Sequence, residues 1–446
     1  MIGGIFSEGQ ELKKSLKTYH LVVFGLLFVI PIAPFGIYGY LSEASGGFVP
    51  AVYAIACVAM IFTAFSYGVM AQAFPIAGSV YSYTQRGINP HVGFMTGWAI
   101  LLDYILMPTL IYVVVGISMN AIFPELGPYL WGVIFIVGIS ILNVIGINSS
   151  AKVAMFALFL QMIIYITFVA FAIYAISNGT GGASFSPDPL YNAQNFKLAL
   201  VMNAASIAVL SFLGFDAIST LVEEAKNQDK VVLKSCVSVL VLAGSLFIFL
   251  TYLAGCLWIH LGKGFENVDL AFYEISKIAG GEFLMKLTSF GTAFSWGGAA
   301  LSAQLAVSRV LFAMSRDKNL PSFLGRLHKK YNTPYVAALC MAALSMVLSF
   351  FFASRVEDLT LLVNFGALTS FLMLHICVIY YYKGRMKSNS WFFHLVSPIL
   401  GILIVGYVWL HLSWQIKLLG CLWLVIGGIY YYLMKNVFKR EFKEFV

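Results

Sequence analysis

Charge is the property that this sequence has least of. Asp, Glu, Lys and Arg together make up 10% of the 446 residues, whereas soluble proteins carry about 25%. Apolar and aromatic residues make up 60% of the chain, the mean hydropathy is +0.88, and no polar stretch is long enough to coat a soluble domain. The composition therefore excludes an ordinary soluble enzyme, a disordered protein and a nucleic-acid-binding protein, and it predicts one polytopic membrane domain.

Motifs for catalysis, metal binding and disulfide formation are also absent from the sequence. The six cysteines lie in apolar stretches and form no CxxC pair, so we expect neither disulfides nor structural zinc. The chain has no Ser-His-Asp ordering, HExxH, Walker motif or GxGxxG in a strand–helix context. This disfavours an enzyme or an ATP-driven pump, and we expect no cofactor and no bound metal.

Long apolar runs are what the sequence does contain. A spanning helix needs about 20 mainly apolar residues, and twelve runs of this kind are present. Numbered spans 1 to 12, they lie near 19–41, 50–73, 92–122, 128–146, 152–177, 198–222, 234–260, 283–314, 335–353, 357–382, 392–412 and 416–437. We therefore predict a single 12-helix domain over 19–437, between polar tails at 1–18 and 438–446.

The distribution of basic residues predicts the orientation of these spans. If the N-terminus is cytoplasmic, 21 of the 27 Lys and Arg residues fall on the cytoplasmic side and six fall outside. The first 18 residues are polar and lack the apolar core of a signal peptide. The positive-inside rule thus predicts an inner-membrane protein with both termini in the cytoplasm.

Two spans carry residues that interrupt a helix in mid-membrane. Span 1 contains Pro31 and Pro34 followed by glycines, and span 6 contains Gly214 next to Asp216. Prolines remove backbone donors, so such breaks survive in a membrane where they are buried or line a cavity; a simple proline kink is the alternative. Breaks five spans apart are typical of transporters built from inverted repeats. The repeats would cover about 19–177 and 198–382, with spans 11 and 12 (392–437) outside them.

Several motifs resemble those of the amino acid–polyamine–organocation (APC) transporters. They are Phe74-Pro-Ile-Ala-Gly-Ser-Val-Tyr81, Ser211-Phe-Leu-Gly-Phe-Asp216 and Val307-Ser-Arg-Val-Leu-Phe-Ala-Met-Ser-Arg-Asp317 with Leu320-Pro321 beyond. Ile88 to Met95, with Leu102-Asp103-Tyr104, is most similar to the bacterial putrescine importers of that family. The resemblance implies an all-α membrane protein with the LeuT-type 5+5 inverted-repeat fold, in which spans 1 and 6 are broken and substrate binds between spans 1, 3, 6, 8 and 10.

The sequence departs from its relatives in two places. Amino-acid transporters of the family typically have a Gly-rich break in span 1 whose amides hold the substrate carboxylate, whereas this chain has Ile32-Ala33-Pro34-Phe35-Gly36. That difference favours a substrate without a carboxylate, although the acidic residue that putrescine importers tend to carry near Gly36 is missing. In span 5, Gln161 occupies the position of a lysine that proton-coupled relatives use, so that coupling route is absent.

A diamine site needs carboxylates or carbonyl dipoles for its two ammonium groups and aromatic faces between them. Asp103 and Asp216 are the only acidic residues in the interior of the spans, so both are candidates. Asp216 has an equally strong alternative role as the N-terminal cap of the second half-helix of span 6. The predicted substrate-binding residues are Ile32, Ala33, Pro34, Phe35, Gly36, Asp103, Tyr104, Ser211, Phe212, Leu213, Gly214, Phe215 and Asp216.

Four further residues are candidates for coupling or gating: Gln161, Glu223, Glu224 and His375. A solvated helix end explains the two glutamates equally well, and a lone histidine on an apolar helix is usually a packing residue. The leading hypothesis is a monomeric secondary transporter that imports putrescine or a related amine, driven by protons, through alternating access. The alternatives are an amino-acid importer or exchanger, a membrane receptor or scaffold on the same fold, and a passive channel, which the sparse polar lining disfavours.

Overall fold

The computed structural model describes residues 18–75, 79–145, 147–224, 228–259, 264–316, 321–331 and 333–437. Regular structure in these ranges is entirely helical. The predicted tails, apart from Thr18, lie outside the described residues, as do 76–78 and 317–320 of the motifs.

Each predicted span coincides with a helix or with a broken helix. In order, they are Thr18–Val29 with Pro34–Ser45, Val49–Ala73, Pro90–Asn120, Gly127–Ile145, Ile147–Ser177, Leu198–Ala208 with the 3₁₀ segments Val209–Phe212 and Phe215–Glu224, Gln228–Trp258, Ala271–Arg316, Tyr335–Phe352, Val356–Ile379, Ser397–Leu410 and Trp414–Tyr432. A short connector helix, Ser79–Gly87, joins spans 2 and 3. Within the described ranges, nine helices are long and apolar enough to cross a membrane, or ten if the bent pair of span 1 is counted as one.

The helix of span 8 begins earlier than the sequence suggests. Its predicted start is near residue 283, whereas the helix begins at Ala271 and bends at Gly280 and Gly281. Glu274, Lys277 and Glu282 make this first section polar, and Lys277 Nζ lies 2.6 Å from Glu282 Oε1. Hydropathy therefore assigns the section to a loop, although it forms helix outside the apolar run.

A buried polar network joins spans 3, 4, 8 and 9. Gln304 of span 8 accepts hydrogen bonds from Tyr112 (2.8 Å) and Asn143 (3.1 Å) through Oε1. Its Nε2 donates to Ser140 Oγ (2.9 Å) and to the carbonyl of Ala338 (3.2 Å). The side chain of Gln304 thus makes four hydrogen bonds that connect four helices, and buried bonds of this kind hold a group of helices together.

Span 10 lies between that group and the broken helices. Ser370 donates to the carbonyl of Thr96 in span 3 (3.3 Å), while Asn364 donates to the carbonyl of Ser206 in span 6 (2.6 Å). Near Ser370, a Cβ on Gly366 would lie 2.7 Å from the carbonyl oxygen of Ala99, so glycine lets spans 3 and 10 approach closely. Span 10 therefore helps to fix the position of the site relative to the rigid helices.

Candidate functional site

A cavity of about 240 Å³ lies where the two broken helices meet spans 3 and 8. Span 1 contributes Leu27, Phe28, Val29, Ile30 and Ala33, and span 6 contributes Leu210, Ser211, Leu213, Gly214, Asp216 and Ala217. Span 3 contributes Asp103, Tyr104, Met107 and Ile111, and span 8 contributes Trp296, Ala299, Ser302, Ala303, Ala306 and Val307. Among the described residues, none from span 10 lines the cavity.

The break in span 1 is built from prolines. Helix Thr18–Val29 ends before Pro31, the second helix begins at Pro34, and the two are bent by 62°. Ile30, between them, has a φ of 52°, which is unusual for a β-branched residue. The amide of Ala33 donates to the Ile30 carbonyl (2.7 Å) and that of Phe35 to the Ile32 carbonyl (3.0 Å). The prolines have no amide hydrogen and these two amides are engaged, so the break offers few donors.

The break in span 6 depends on glycine. Gly214 has a φ of 102°, a conformation that L-residues with a side chain rarely adopt. A Cβ at this position would lie 2.8 Å from Cβ of Phe28 and 3.2 Å from its carbonyl oxygen. Glycine is therefore needed both for the backbone turn and for the close approach of span 6 to span 1.

The two carboxylates that line the cavity have different surroundings. Asp103 is buried, with 6% of its surface exposed, and its Oδ1 has no hydrogen-bond partner in the described part of the chain. Asp216 accepts a hydrogen bond from Ser79 Oγ (3.4 Å), from the Tyr67 hydroxyl, and from the backbone amides of Gly214 and of Asp216 itself. Asp103 is thus available to a ligand, whereas Asp216 largely serves the backbone at the start of the second half-helix.

Seven of the thirteen predicted substrate-binding residues line this cavity: Ala33, Asp103, Tyr104, Ser211, Leu213, Gly214 and Asp216. The other six do not line it: Ile32, Pro34, Phe35, Gly36, Phe212 and Phe215.

The three phenylalanines among the six pack between helices. The ring of Phe35 stacks on Phe272 at 4.0 Å, that of Phe212 lies 5.2 Å from Phe247, and that of Phe215 lies 5.7 Å from Tyr67.

Backbone positions explain two of the others. Gly36 lies where a Cβ would meet Val114 at 2.8 Å and Trp296 at 3.1 Å, so it closes the cavity against spans 3 and 8. Pro34 is the first residue of the second helix of span 1, a favourable position for proline.

Span 8 lines the cavity as the resemblance implies, but none of its residues is among those predicted from the sequence. Trp296 is the aromatic residue it contributes, and Ala299, Ser302 and Ala303 leave room beside it. The run of small residues Gly297-Gly-Ala-Ala-Leu-Ser-Ala303 is a signal that could have indicated this wall, because small side chains on one helix create space for a ligand.

The coupling candidates do not line the cavity in the described part of the chain. Gln161 is buried, and its Oε1 has no hydrogen-bond partner among the described residues. Glu223 and Glu224 end the 3₁₀ segment of span 6, and their side chains lie outside the described residues. His375 is fully buried between Ser66 Oγ, 2.8 Å from its Nδ1, and Thr63 Oγ1, 3.3 Å from its Nε2.

The family model described as amino acid permease matches residues 20–441, which is nearly the whole chain. The chain belongs to this family. It is 30% identical to the low-affinity putrescine importer PlaP of Escherichia coli, over 98% of this chain and 96% of that protein. It is 25% identical to the branched-chain amino acid permease BcaP of Bacillus subtilis, over 96% and 94% of the two chains.

Comparison with a solved structure supports the fold of this permease. The crystal structure of MhsT in complex with L-phenylalanine matches with a TM-score of 0.57 at 14% identity, and the match covers 95% of this chain and 100% of MhsT. The protein is therefore a multi-pass membrane transporter of the APC superfamily with a LeuT-type fold, and it is not an enzyme.

Proposed function

We propose that this permease imports a small cationic amine, putrescine or a related polyamine. The observation that carries the proposal is the charge of the cavity: its described lining contains two carboxylates, Asp103 and Asp216, and no basic residue. A buried carboxylate without a partner is unfavourable in a medium of low dielectric. An ammonium group placed at Asp103 Oδ1 would neutralise that charge and supply the missing hydrogen bond.

The rest of the cavity suits the apolar chain of a diamine. Met107, Ile111 and Leu210 offer apolar contact, while Tyr104 and Trp296 offer aromatic faces to methylene and ammonium groups. The second ammonium group would be met by Asp216 or by the carbonyls of the span 6 break. Similarity to the putrescine importer PlaP supports the same substrate class.

The second candidate substrate is an amino acid, which the similarity to the branched-chain amino acid permease BcaP favours. An amino acid also needs donors for its carboxylate, and transporters usually provide them as free amides of a broken helix. The prolines of span 1 have no amide hydrogen, and the amides of Ala33, Phe35 and Gly36 already bond to carbonyls of the same break. This arrangement favours the diamine.

We further propose that the protein transports its substrate by alternating access and that the proton gradient drives this step. In this proposal the protein is a monomer with both termini in the cytoplasm. Spans 1, 2, 6 and 7 would rock against spans 3, 4, 8 and 9, which Gln304 holds together. The contact of Gly36 with Trp296 and Val114 would open as the outer half of span 1 moves away.

Uptake of labelled putrescine by the purified protein in liposomes tests the proposal, with and without an inward proton gradient. Alanine, glutamate, ornithine and spermidine serve as unlabelled competitors, and protein carrying Asp103→Asn is the matched control. We expect gradient-stimulated uptake that polyamines block and amino acids do not. Uptake of an amino acid in place of putrescine would overturn the proposed substrate. Uptake at the same rate with and without the gradient would overturn proton coupling, and binding without flux would indicate a receptor.

A further inference from the structure

Ser79, the first residue of the connector helix, has a strained backbone. Its φ is 53°, in the left-handed region that favours glycine, yet a serine occupies the position. Its side chain is buried, with 6% of the residue exposed. Strained residues persist where the surrounding structure holds them, and they cluster at functional sites. The hydroxyl is the feature that serine adds at this position over glycine.

The Ser79 hydroxyl contacts one of the two cavity carboxylates. Ser79 Oγ donates to Asp216 Oδ2 at 3.4 Å and lies 3.3 Å from the hydroxyl of Tyr67. Both distances are long for bonds between oxygens, which usually measure about 2.7–2.8 Å. A small displacement of either partner would therefore break these bonds or shorten them.

The connector helix is packed on spans 3 and 10. Gly97 of span 3 lies so close to it that a Cβ would be 2.7 Å from the Tyr81 ring. Cys377 of span 10 donates its thiol hydrogen to the carbonyl of Tyr83 at 3.3 Å. Asp216 and Tyr67, by contrast, belong to spans 6 and 2, which are in the group of helices proposed to rock. The bonds of Ser79 therefore cross the boundary between the two groups.

We propose that Ser79 is a latch that fastens span 6 to the connector helix in this conformation and opens when span 6 moves. The inference rests on the alternating access of the proposed function and does not depend on the identity of the substrate. Ser79 acts through Asp216 and Tyr67, so it is a positioning residue that controls the rate of the conformational change. Asp103, which Ser79 does not touch, keeps its role in holding the ammonium group.

Hydrogen–deuterium exchange of the full chain in lipid nanodiscs, without substrate, tests the latch. Ser79→Ala removes the hydroxyl and keeps the strain, whereas Ser79→Gly removes both. Thr84→Val is the matched control, because Thr84 is buried in the same connector helix and donates to the carbonyl of Val80. We expect exchange in Phe215–Glu224 to accelerate at least threefold, equally in both Ser79 variants, and to stay unchanged in Thr84→Val.

Each other pattern of exchange overturns the latch. Unchanged exchange in both Ser79 variants would mean that the Ser79 hydroxyl does not help to hold span 6 in place. Acceleration in only one of them assigns the effect to backbone strain or backbone freedom, and acceleration in Thr84→Val assigns it to general loosening of the helix. Failure of putrescine uptake would leave this measurement unaffected, so the two proposals fail separately.

A transport measurement then separates the latch from a substrate contact. With whichever substrate the wild-type protein carries, both Ser79 variants should change the maximal rate at least threefold. The equilibrium dissociation constant should stay within about twofold of wild type. A change confined to the dissociation constant would instead make Ser79 part of the substrate site and would overturn the latch.

Discussion

The two broken helices are interrupted by different chemistry. Span 1 breaks at prolines, which have no amide hydrogen, and its neighbouring amides bond to carbonyls within the break. Span 6 breaks at Gly214, whose φ of 102° turns the chain, and the carboxylate of Asp216 accepts the amides that the turn frees. In both cases several of the donors are removed or engaged. The two breaks therefore contribute few free amides to the cavity wall, which suits a cation better than a carboxylate.

The two breaks also differ in how sensitive each is to a single substitution. The break in span 1 has two prolines, either of which interrupts a helix. The break in span 6 depends on one glycine that no other residue can replace without strain or collision. We therefore expect span 6 to be the more sensitive to single substitutions.

Replacement of the span 6 glycine should have the largest effect. Gly214→Ala forces a side chain into the left-handed region and against Phe28, which we expect to lower the free energy of unfolding by about 2–5 kcal/mol and to abolish uptake. Gly46→Ala is the control, because Gly46 has a φ of 70° with nothing within 4 Å of its Cβ position. Equal losses in thermal unfolding and uptake for both variants would show that the contact with Phe28 is unimportant.

The two carboxylates should respond differently to neutralisation. Asp103→Asn removes the charge that lacks a partner in the described structure, and we expect it to weaken putrescine binding about 100-fold, as for a buried charge pair that loses one member. Asp216→Asn should weaken binding less than about tenfold, since its main partners are Ser79 and backbone amides. Binding is measured by calorimetry on the purified protein. Similar losses in the two variants would contradict the division of roles.

Loss of the hydrogen bond from Asn364 in span 10 to the Ser206 carbonyl in span 6 should have an intermediate effect. Asn364→Leu leaves the carbonyl of Ser206, which now accepts at 2.6 Å, without this donor. An unsatisfied buried acceptor lowers the free energy of unfolding by about 1–3 kcal/mol. Thr360→Val, one turn earlier on span 10, should be nearly neutral because Thr360 Oγ1 is buried and has no partner among the described residues. Thermal unfolding in detergent compares the two, and equal destabilisation would argue against the bond.

Much of the fold was predictable from the sequence, while the orientation of side chains was not. Hydropathy locates the spans, and Pro31, Pro34 and Gly214 indicate both breaks, because these residues limit the backbone whatever surrounds them. The direction of the Phe35, Phe212 and Phe215 rings depends on how neighbouring helices are rotated, which one sequence does not specify. The same holds for Asn364, whose bond to span 6 joins residues 158 positions apart.

A single proline replacement in span 1 should have the smallest effect. Pro34→Ala keeps Pro31, so we expect the break to persist, uptake to stay within about threefold, and the free energy of unfolding to fall by about 1 kcal/mol or less through greater freedom of the unfolded chain. The double variant Pro31→Ala/Pro34→Ala removes both interruptions, allows a continuous helix from Thr18 to Ser45, and should lose uptake. If Pro34→Ala alone abolished uptake, each break would depend on one residue, and the contrast between spans 1 and 6 would be wrong. If the double variant still transported, the bend of 62° would be held by the surrounding helices rather than by the prolines.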